Sequence, residues 1–434
     1  MTAGMVAAIL FGTFLTLIIL RIPVAFALAL ACIPVFFIEP RLTPILLLQE
    51  MFKSYNSFVL LAVPFFLLAA NLMNAAGITD RLIRFARSLV GHLPGGLGHI
   101  NVVVSMFFAG ISGSSTADAA GIGSLLIPQM KKEGFSASFA VAVTACSSVM
   151  GVIIPPSILM VVWGGLMSVS IGGLFLAGVI PGVLIGLSQM LIVYIYAKKY
   201  DYPLYPRSTM VELAVSFGSA SLALMTPIII VGGIVGGFFT PTEASLIAVI
   251  YSLLLGMLVY RTVGFAKLSA VLYDTGRFAA IALFCIGTAS AFGWLLAYFK
   301  IPALLIAGVE SLGLGVTGMG LLVAVSFLVI GCFIDAIPAI IILGTVLFPV
   351  TQHVGMHPIH YAIIGVVSLG FGLVTPPYGL CLLISCAVGE IRVVDAFKDV
   401  CIILAPMLCI LGLIIFIPEL VLYLPRLLMP QFVN

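Results

Sequence analysis

Charge is scarce in this chain: 8% of its 434 residues are Asp, Glu, Lys or Arg, against roughly 25% in a soluble domain. That scarcity excludes a soluble globular protein. The formal net charge is only +3, and the basic residues sit in short clusters between apolar stretches, so there is no basic face for a nucleic acid. The only tryptophans are Trp163 and Trp294, which read as packing or membrane-interface residues. None of the five histidines (His92, His99, His353, His357, His360) stands in a zinc spacing. Eight scattered cysteines (Cys32, Cys146, Cys285, Cys332, Cys381, Cys386, Cys401, Cys409) likewise lack metal-ligand spacing and are expected to be buried free thiols.

What the chain does have is hydrophobic sequence, 63% of it. Runs of about 20 apolar residues, enough to cross about 30 Å of hydrocarbon as a helix, recur almost throughout. The fold class is therefore an all-α polytopic membrane protein. Spans are expected at 3–20, 21–38, 55–76, 136–168, 171–197, 214–237, 238–260, 278–299, 358–388 and 400–424. The first run, Met5 to Leu20, has no basic stretch before it and reads as a retained span, not a cleaved signal.

Two apolar blocks, 94–130 and 316–351, are too long for one crossing, and each is divided by a patch of small polar residues. Arg81, Arg84, Arg87 and His92 precede the first block and Lys131 and Lys132 follow it. Positive loops prefer the cytoplasm, so both ends lie on that side and the block reads as a re-entrant hairpin. Its tip must then be buried in protein or line a wet cavity. Carrying the parity onward places Lys198, Lys199, Arg207, Arg261, Lys267, Arg277, Arg392 and Lys398 inside. The second hairpin, flanked by Lys300, Glu310, Gln352 and His353, then opens from the opposite face. The stretch Ile78 to Leu93 reads as an interfacial amphipathic helix that could brace a moving hairpin.

The two blocks are also copies. Residues 108–159 return at 329–380 with a constant offset of 221, set by Gly110 and Gly331 and kept by Pro128/Pro349, Gly134/Gly355, Gly151/Gly372 and Pro155-Pro156/Pro376-Pro377. Glycine and proline decide where helices break, so a pattern of interruptions has been duplicated. Each hairpin is followed by a helix broken at those prolines, at 136–168 and 358–388. The chain is expected to be an inverted repeat, residues 1–200 and 208–434, joined by the polar linker Lys198 to Arg207. A weaker match pairs Ile22 to Phe26 with Thr240 to Ala244. Paired broken helices are where secondary transporters build ion and substrate sites.

The first tip reads Gly110-Ile111-Ser112-Gly113-Ser114-Ser115-Thr116-Ala117-Asp118. Ser115 to Asp118 has the form of a capping box, with Ser115 as N-cap, so Asp118 is either a cap or an ion-facing carboxylate. The hydroxyls of Ser112, Ser114 and Thr116 suit a hard cation, and helix N-termini suit a carboxylate. At the second tip, Gly331 to Pro338, Asp335 could cap the next helix or face an ion. Carbonyls freed by the proline doublets add cation ligands. Glu243 reads as the end of a capping box in Thr240-Pro241-Thr242-Glu243.

Two other classes fit less. Gly110-Ile111-Ser112-Gly113 matches the Gly-x-Ser-Gly of intramembrane serine proteases, with His353, His357 and His360 as bases, but a protease has no use for the repeat. A proton-pumping respiratory subunit needs lysines and glutamates in mid-span. This chain keeps Lys131, Lys132, Lys198 and Lys199 at segment ends.

The tip and break motifs, together with Phe239-Thr240-Pro241-Thr242-Glu243-Ala244, resemble the large membrane subunit (DctM-like) of tripartite ATP-independent periplasmic (TRAP) transporters over almost the whole chain. The resemblance implies a multi-pass protein of the bacterial inner membrane, not an enzyme and without a cofactor, that uses sodium ions to import an organic acid anion. It further implies delivery by a periplasmic substrate-binding protein, a small four-helix membrane subunit on a separate polypeptide, and an elevator mechanism. Carried onto this chain, one sodium site falls between Ser112 to Thr116 (Ser112, Ser114, Thr116) and the Gly151 to Pro156 break, with Gly151 and Pro155. The other falls between Asp335 to Pro338 (Asp335, Ala336, Pro338) and the Gly372 to Pro376 break, with Gly372 and Thr375. The substrate carboxylate falls near Ser114, Ser115 and Thr375. A proton-coupled carrier of the same fold is the alternative.

Overall fold

The computed structural model describes residues 2–311 and 313–432, which form helices and turns with no strand. The first half runs through α1 (Ala3–Ile19), α2 (Val24–Ile38), α3 (Ile45–Tyr55), α4 (Ala62–Ala75), α5 (Ile78–Val90), α6 (Gly96–Ser112) and α7 (Ser115–Lys132). It continues as α8 (Ala137–Ser148), α9 (Met150–Ile153), α10 (Ile158–Met167) and α11 (Ile171–Tyr200). After the linker come α12 (Met210–Val235), α13 (Pro241–Leu254), α14 (Phe265–Tyr298), α15 (Ile301–Ser311), α16 (Val316–Gly331), α17 (Ala336–Ala339) and α18 (Thr345–His353). The last four are α19 (Pro358–Gly372), α20 (Leu380–Gly389), α21 (Val393–Phe416) and α22 (Glu419–Leu428).

Among the described residues, seven helices are long and apolar enough to cross a membrane, or eight if the pair bent by 72° between Ile45–Tyr55 and Val59–Ala75 counts as one. Several boundaries differ from the sequence expectation. The span expected at 278–299 begins at Phe265, because Lys267 and Thr275 do not end the helix: Lys267 Nζ donates to Ala75 O at 2.7 Å and Thr275 Oγ1 accepts from Asn71 Nδ2 at 2.9 Å. The span expected at 400–424 is α21, which starts at Val393 and stops at Phe416 ahead of Pro418. Helices α3 and α15 were not foreseen. Thr240 and Glu243 form the expected capping box, with Thr240 N donating to Glu243 Oε2 at 2.8 Å.

The helix bounds of the two halves fall at the same offset as the sequence copy. Adding 221 to Ser115–Lys132 gives 336–353, the bounds of α17 through α18, and adding it to the start of α8 gives Pro358, where α19 begins. The bent pair α3–α4 is the exception, since it is answered by the single long helix α14.

Helices α1 to α4, α13 and α14 pack mainly on one another, the hairpins and broken helices form a second group with α11 and α21, and α12 lies between α13 on one side and α5, α6 and α11 on the other. Helices α5 and α15, again at equivalent positions, reach across: α5 touches α4, α6 and α12, and α15 touches α1, α14 and α18. Helix α5 is amphipathic as expected, burying Ile78, Leu82, Phe85 and Ala86. Its first turn is fastened by Arg81, which donates to Gly77 O at 2.9 Å and lies over the Tyr260 ring at 3.7 Å. Its last turn places Arg87 over Tyr205 at 4.0 Å.

The linker is not a free tether. Gly96 N donates to Pro203 O at 3.2 Å, Tyr205 N donates to Gly91 O at 3.0 Å, and the Tyr205 hydroxyl donates to Glu133 Oε1 at 2.5 Å. Burial and the Glu133 carboxylate push the Tyr205 phenol well above its usual range. Six cysteines are buried as expected, but Cys401 and Cys409 are exposed. Both lie on α21.

Candidate functional site

The first tip closes between α6 and α7. Gly113 takes φ +62°, a left-handed conformation that residues with a Cβ rarely adopt. Ser114 follows in extended conformation and is the N-cap, its Oγ accepting from Ala117 N at 3.5 Å. The expected capping box at Ser115 is therefore displaced by one residue. That shift frees Asp118 from capping: Oδ1 accepts from Ser112 Oγ, while Oδ2 is buried without a partner. Ser114 Oγ and Thr116 Oγ1 are 3.1 Å apart.

This tip sits in the notch of the first broken helix. Helix α9 stops at Ile153 ahead of Pro155-Pro156, and α10 restarts behind Ser157, whose Oγ donates to Val152 O at 2.7 Å. Ile158 N donates to Gly113 O at 3.2 Å, which ties the tip to the far side of the break. Gly151 is required by this approach, because a Cβ there would lie 3.0 Å from both Asp118 Cγ and the Ser114 carbonyl carbon.

The second tip uses different residues for a similar fit. Asp335 is an N-cap, its Oδ1 accepting from Ala336 N at 2.8 Å ahead of the short α17 that holds Pro338. Tyr378 N, just past the Pro376-Pro377 doublet, donates to Cys332 O at 2.9 Å. Gly331 and Gly372 meet backbone to backbone, with an ideal Cβ on Gly372 only 2.7 Å from Gly331 Cα. Thr375 Oγ1 donates to Phe371 O at 2.7 Å. Its one hydroxyl proton is spent, so it presents lone pairs and suits a cation better than a carboxylate.

The hairpins interlock crosswise. Helix α7 packs on α8 of its own half and on α20 of the other, while α17 and α18 pack on α19 and on α10. The two broken helices cross where Gly370 meets Val149, with an ideal Cβ 2.7 Å from Val149 Cγ1. Helix α20, which carries the buried Cys381, packs on both α7 and α8 of the first half. Each tip is thus seated against the break of its own half, and the two broken helices touch at Gly370 and Val149.

Sequence reasoning missed Cys381, Ser148 and a buried network behind the first tip. There, Asn101 Nδ2 donates to Thr144 Oγ1 at 2.7 Å, Ser147 Oγ donates to Asn101 Oδ1 at 3.2 Å, and Ser105 Oγ donates to Ser147 Oγ at 2.9 Å. A polar residue recurring on an apolar helix face was the available signal. Trp163 is fully buried against Phe327 and Tyr361, a packing role. The histidines do not serve Ser112: His353 pairs with Glu310 at 2.7 Å, His357 caps α19, and His360 Nε2 bonds Ile414 O at 2.8 Å.

Among the described residues no group of three or more His, Cys, Asp or Glu could hold a metal. The donors on offer are hydroxyls, carbonyls and two separate carboxylates, a set suited to a hard monovalent ion.

Comparison with known proteins agrees with this architecture. The chain is 38% identical over 379 residues to the sialic acid TRAP transporter large permease protein SiaM of Vibrio cholerae, covering 87% of this chain and 89% of that one. It is 37% identical over 377 residues to the C4-dicarboxylate TRAP transporter large permease protein DctM of Pseudomonas aeruginosa, covering 87% and 88%. In fold alone it is similar to the Alcanivorax borkumensis YdaH transporter, with a TM-score of 0.61 at 15% identity over 85% of this chain and 86% of that one. The family model of the tripartite ATP-independent periplasmic transporter, DctM component, matches residues 11–420. The chain belongs to that family, and it is a multi-pass inner-membrane permease, not an enzyme.

Proposed function

We propose that this permease couples sodium entry to the import of an organic acid anion handed over by a periplasmic substrate-binding protein. A small four-helix membrane subunit on a separate chain completes the tripartite assembly. The observation that carries the reading is the seating of each hairpin tip in the glycine-proline break that follows it. Hydroxyls and carbonyls converge there without a cationic side chain, and cations are what such groups solvate.

One ion is held by Ser112, Ser114 and Thr116 with carbonyls of the Gly151 to Pro155 break, beside Asp118. The other is held by Asp335, Ala336 and Pro338 with Gly372 and Thr375. The substrate carboxylate lies between the tips, at Ser114 and Ser115, and Thr375 serves the ion more than the acid. The halves form an inverted repeat, 1–200 and 208–434, with the hairpins re-entrant from opposite faces. The hairpins and broken helices move as an elevator against the frame of α1 to α4 and α12 to α14. The bridging positions of α5 and α15 and the shared offset of 221 support that division.

One observation favours a proton-coupled carrier instead: Asp118 Oδ2 is buried without a partner and could hold a proton in place of sodium. Proteoliposomes containing all three components separate the readings. Accumulation driven by an imposed sodium gradient at equal pH supports sodium coupling. Accumulation driven by a pH gradient alone, without sodium, overturns it.

A further inference from the structure

Helix α14 is hardly covered over its first half: from Phe265 to Ile281, only Thr275 and Ala279 are buried. Asp274 and Arg277 stand exposed on this stretch one turn apart, and neither makes an ion pair or a side-chain hydrogen bond among the described residues. The apolar run expected at 278–299 begins directly after them, on the side where the loop charges place the cytoplasm. The two charges therefore mark the inner edge of the hydrocarbon.

Tyr273, Arg277, Ala280 and Phe284 follow one another at steps of four, three and four residues, which sets them on one face of the helix. Past the charges, that face leads into an apolar slot. Ala280, Leu283 and Phe284 line a cavity of about 350 Å³ with Tyr55, Leu60 and Leu61. The slot exists because the segments Ile45–Tyr55 and Val59–Ala75 meet at 72° beside an unbroken helix. Tyr55 lies against α14 at Gly287, where a Cβ would collide with its hydroxyl, and Phe26 of α2 lies 5.1 Å from Phe284. Leu61 is 46% exposed and Ala280 is exposed as well, so the slot opens outward.

An apolar slot that opens on the bilayer takes a hydrocarbon chain, and the side chains one turn before it decide the headgroup. Arg277 offers a fork of donors to a phosphate. Asp274 offers a carboxylate to a cation. A headgroup that carries both charges answers both side chains, whereas a purely anionic one leaves Asp274 unmatched. Ethanolamine, unlike choline, has N–H groups to donate to that carboxylate.

We infer that the wedge between the α3–α4 bend and α14 binds one phosphatidylethanolamine of the cytoplasmic leaflet, with an acyl chain in the slot, its phosphate on Arg277 and its ammonium on Asp274. The lipid backs a surface that meets the first broken helix. Val59 and Leu60 at the bend pack on Gly165 of α10, where a Cβ would lie 3.0 Å from Leu60 Cδ2. A filled slot keeps that support from giving way.

The test is native mass spectrometry of the delipidated permease, with unfolding midpoints, after addition of phosphatidylethanolamine or phosphatidylglycerol with identical chains. One phosphatidylethanolamine should be retained per chain, about tenfold more tightly than phosphatidylglycerol. Arg277→Gln should weaken it about tenfold, and Ala280→Trp, which fills the mouth of the slot, should do the same without lowering the lipid-free midpoint. Asp274→Asn should abolish the preference between the two lipids. Arg84→Gln, at an exposed arginine on α5, is the control and should change nothing. Equal retention of both lipids by the unaltered protein, or an equal loss in Arg84→Gln and Arg277→Gln, overturns the inference. So does the absence of any retained lipid; if a Tyr273→Cys thiol is then shielded only when the small membrane subunit is added, a protein helix covers this face instead.

Discussion

Gly372→Ala tests the seating of the second hairpin in its broken helix. The added Cβ would lie 2.7 Å from Gly331 Cα and carbonyl carbon and 2.9 Å from Leu328 O, all backbone atoms that cannot rotate away. Carbon atoms rest about 3.5–4.0 Å apart, so the hairpin must retreat by about 1 Å. Such a retreat stretches the 2.9 Å bond from Tyr378 N to Cys332 O to about 3.9 Å, beyond useful length. Losing that bond costs about 1 kcal/mol and overpacking about 1–3 kcal/mol, for a total of about 2–4 kcal/mol. Gly331→Ala, with its nearest atoms at 3.2 Å, should cost about 1 kcal/mol. Gly121→Ala on α7, with nothing nearer than 3.9 Å, should stay within about 0.5 kcal/mol. Unfolding midpoints in detergent should rank in that order, and sodium-driven uptake should fall most in Gly372→Ala. If Gly372→Ala matches Gly121→Ala in both assays, the tip is not seated as described and the ion sites proposed there lose their basis.

Ser112→Ala removes the one side-chain donor to Asp118 among the described residues, and because a hydrogen bond to a charged group is worth about 1.5–3 kcal/mol, the sodium concentration for half-maximal uptake should rise at least tenfold; an unchanged value counts against the first ion site. Asn101→Leu breaks the buried link between α6 and α8 and should destabilise by about 1–2 kcal/mol, read as a lower unfolding midpoint with sodium affinity nearly unaltered. A bulky maleimide should label two thiols of the folded protein, Cys401 and Cys409, since the other six are buried; mass spectrometry that finds Cys381 modified before denaturation contradicts the packing of α20 on α7.

Much of the frame was legible because glycine and proline act locally. Gly113 ends α6, Pro155-Pro156 and Pro376-Pro377 end their helices, and Pro241 starts α13, each at the position that backbone geometry dictates. Boundaries set by tertiary partners were not legible. Helix α14 continues through Lys267 and Thr275 because α4 supplies a carbonyl for the first and Asn71 a donor for the second, and neither is visible in a hydropathy window.

The site followed the same rule. The identity of its residues came from the duplicated motif, but the role of Asp118 depended on which serine caps α7. Ser114 and Ser115 are equally good N-caps in isolation. The choice falls to Ser114 because Gly113 is held left-handed by Ile158 across the break. The packing of α20, with Cys381, on α7 and α8 could not be foreseen at all, since those helices lie more than two hundred residues away.

The join between the halves carries a practical consequence. Pro203 accepts a main-chain bond from the start of α6, Tyr205 donates one to Gly91 at the end of α5, and Tyr205 also sits under Arg87 and against Glu133. What reads as a seam between two copies is part of the floor under the first copy. Reporter fusions, affinity tags or protease sites placed between 202 and 206 to map sidedness would therefore perturb the very hairpin they were meant to report on. The solvent-facing turn after Lys132, at Gly134, offers a milder insertion point.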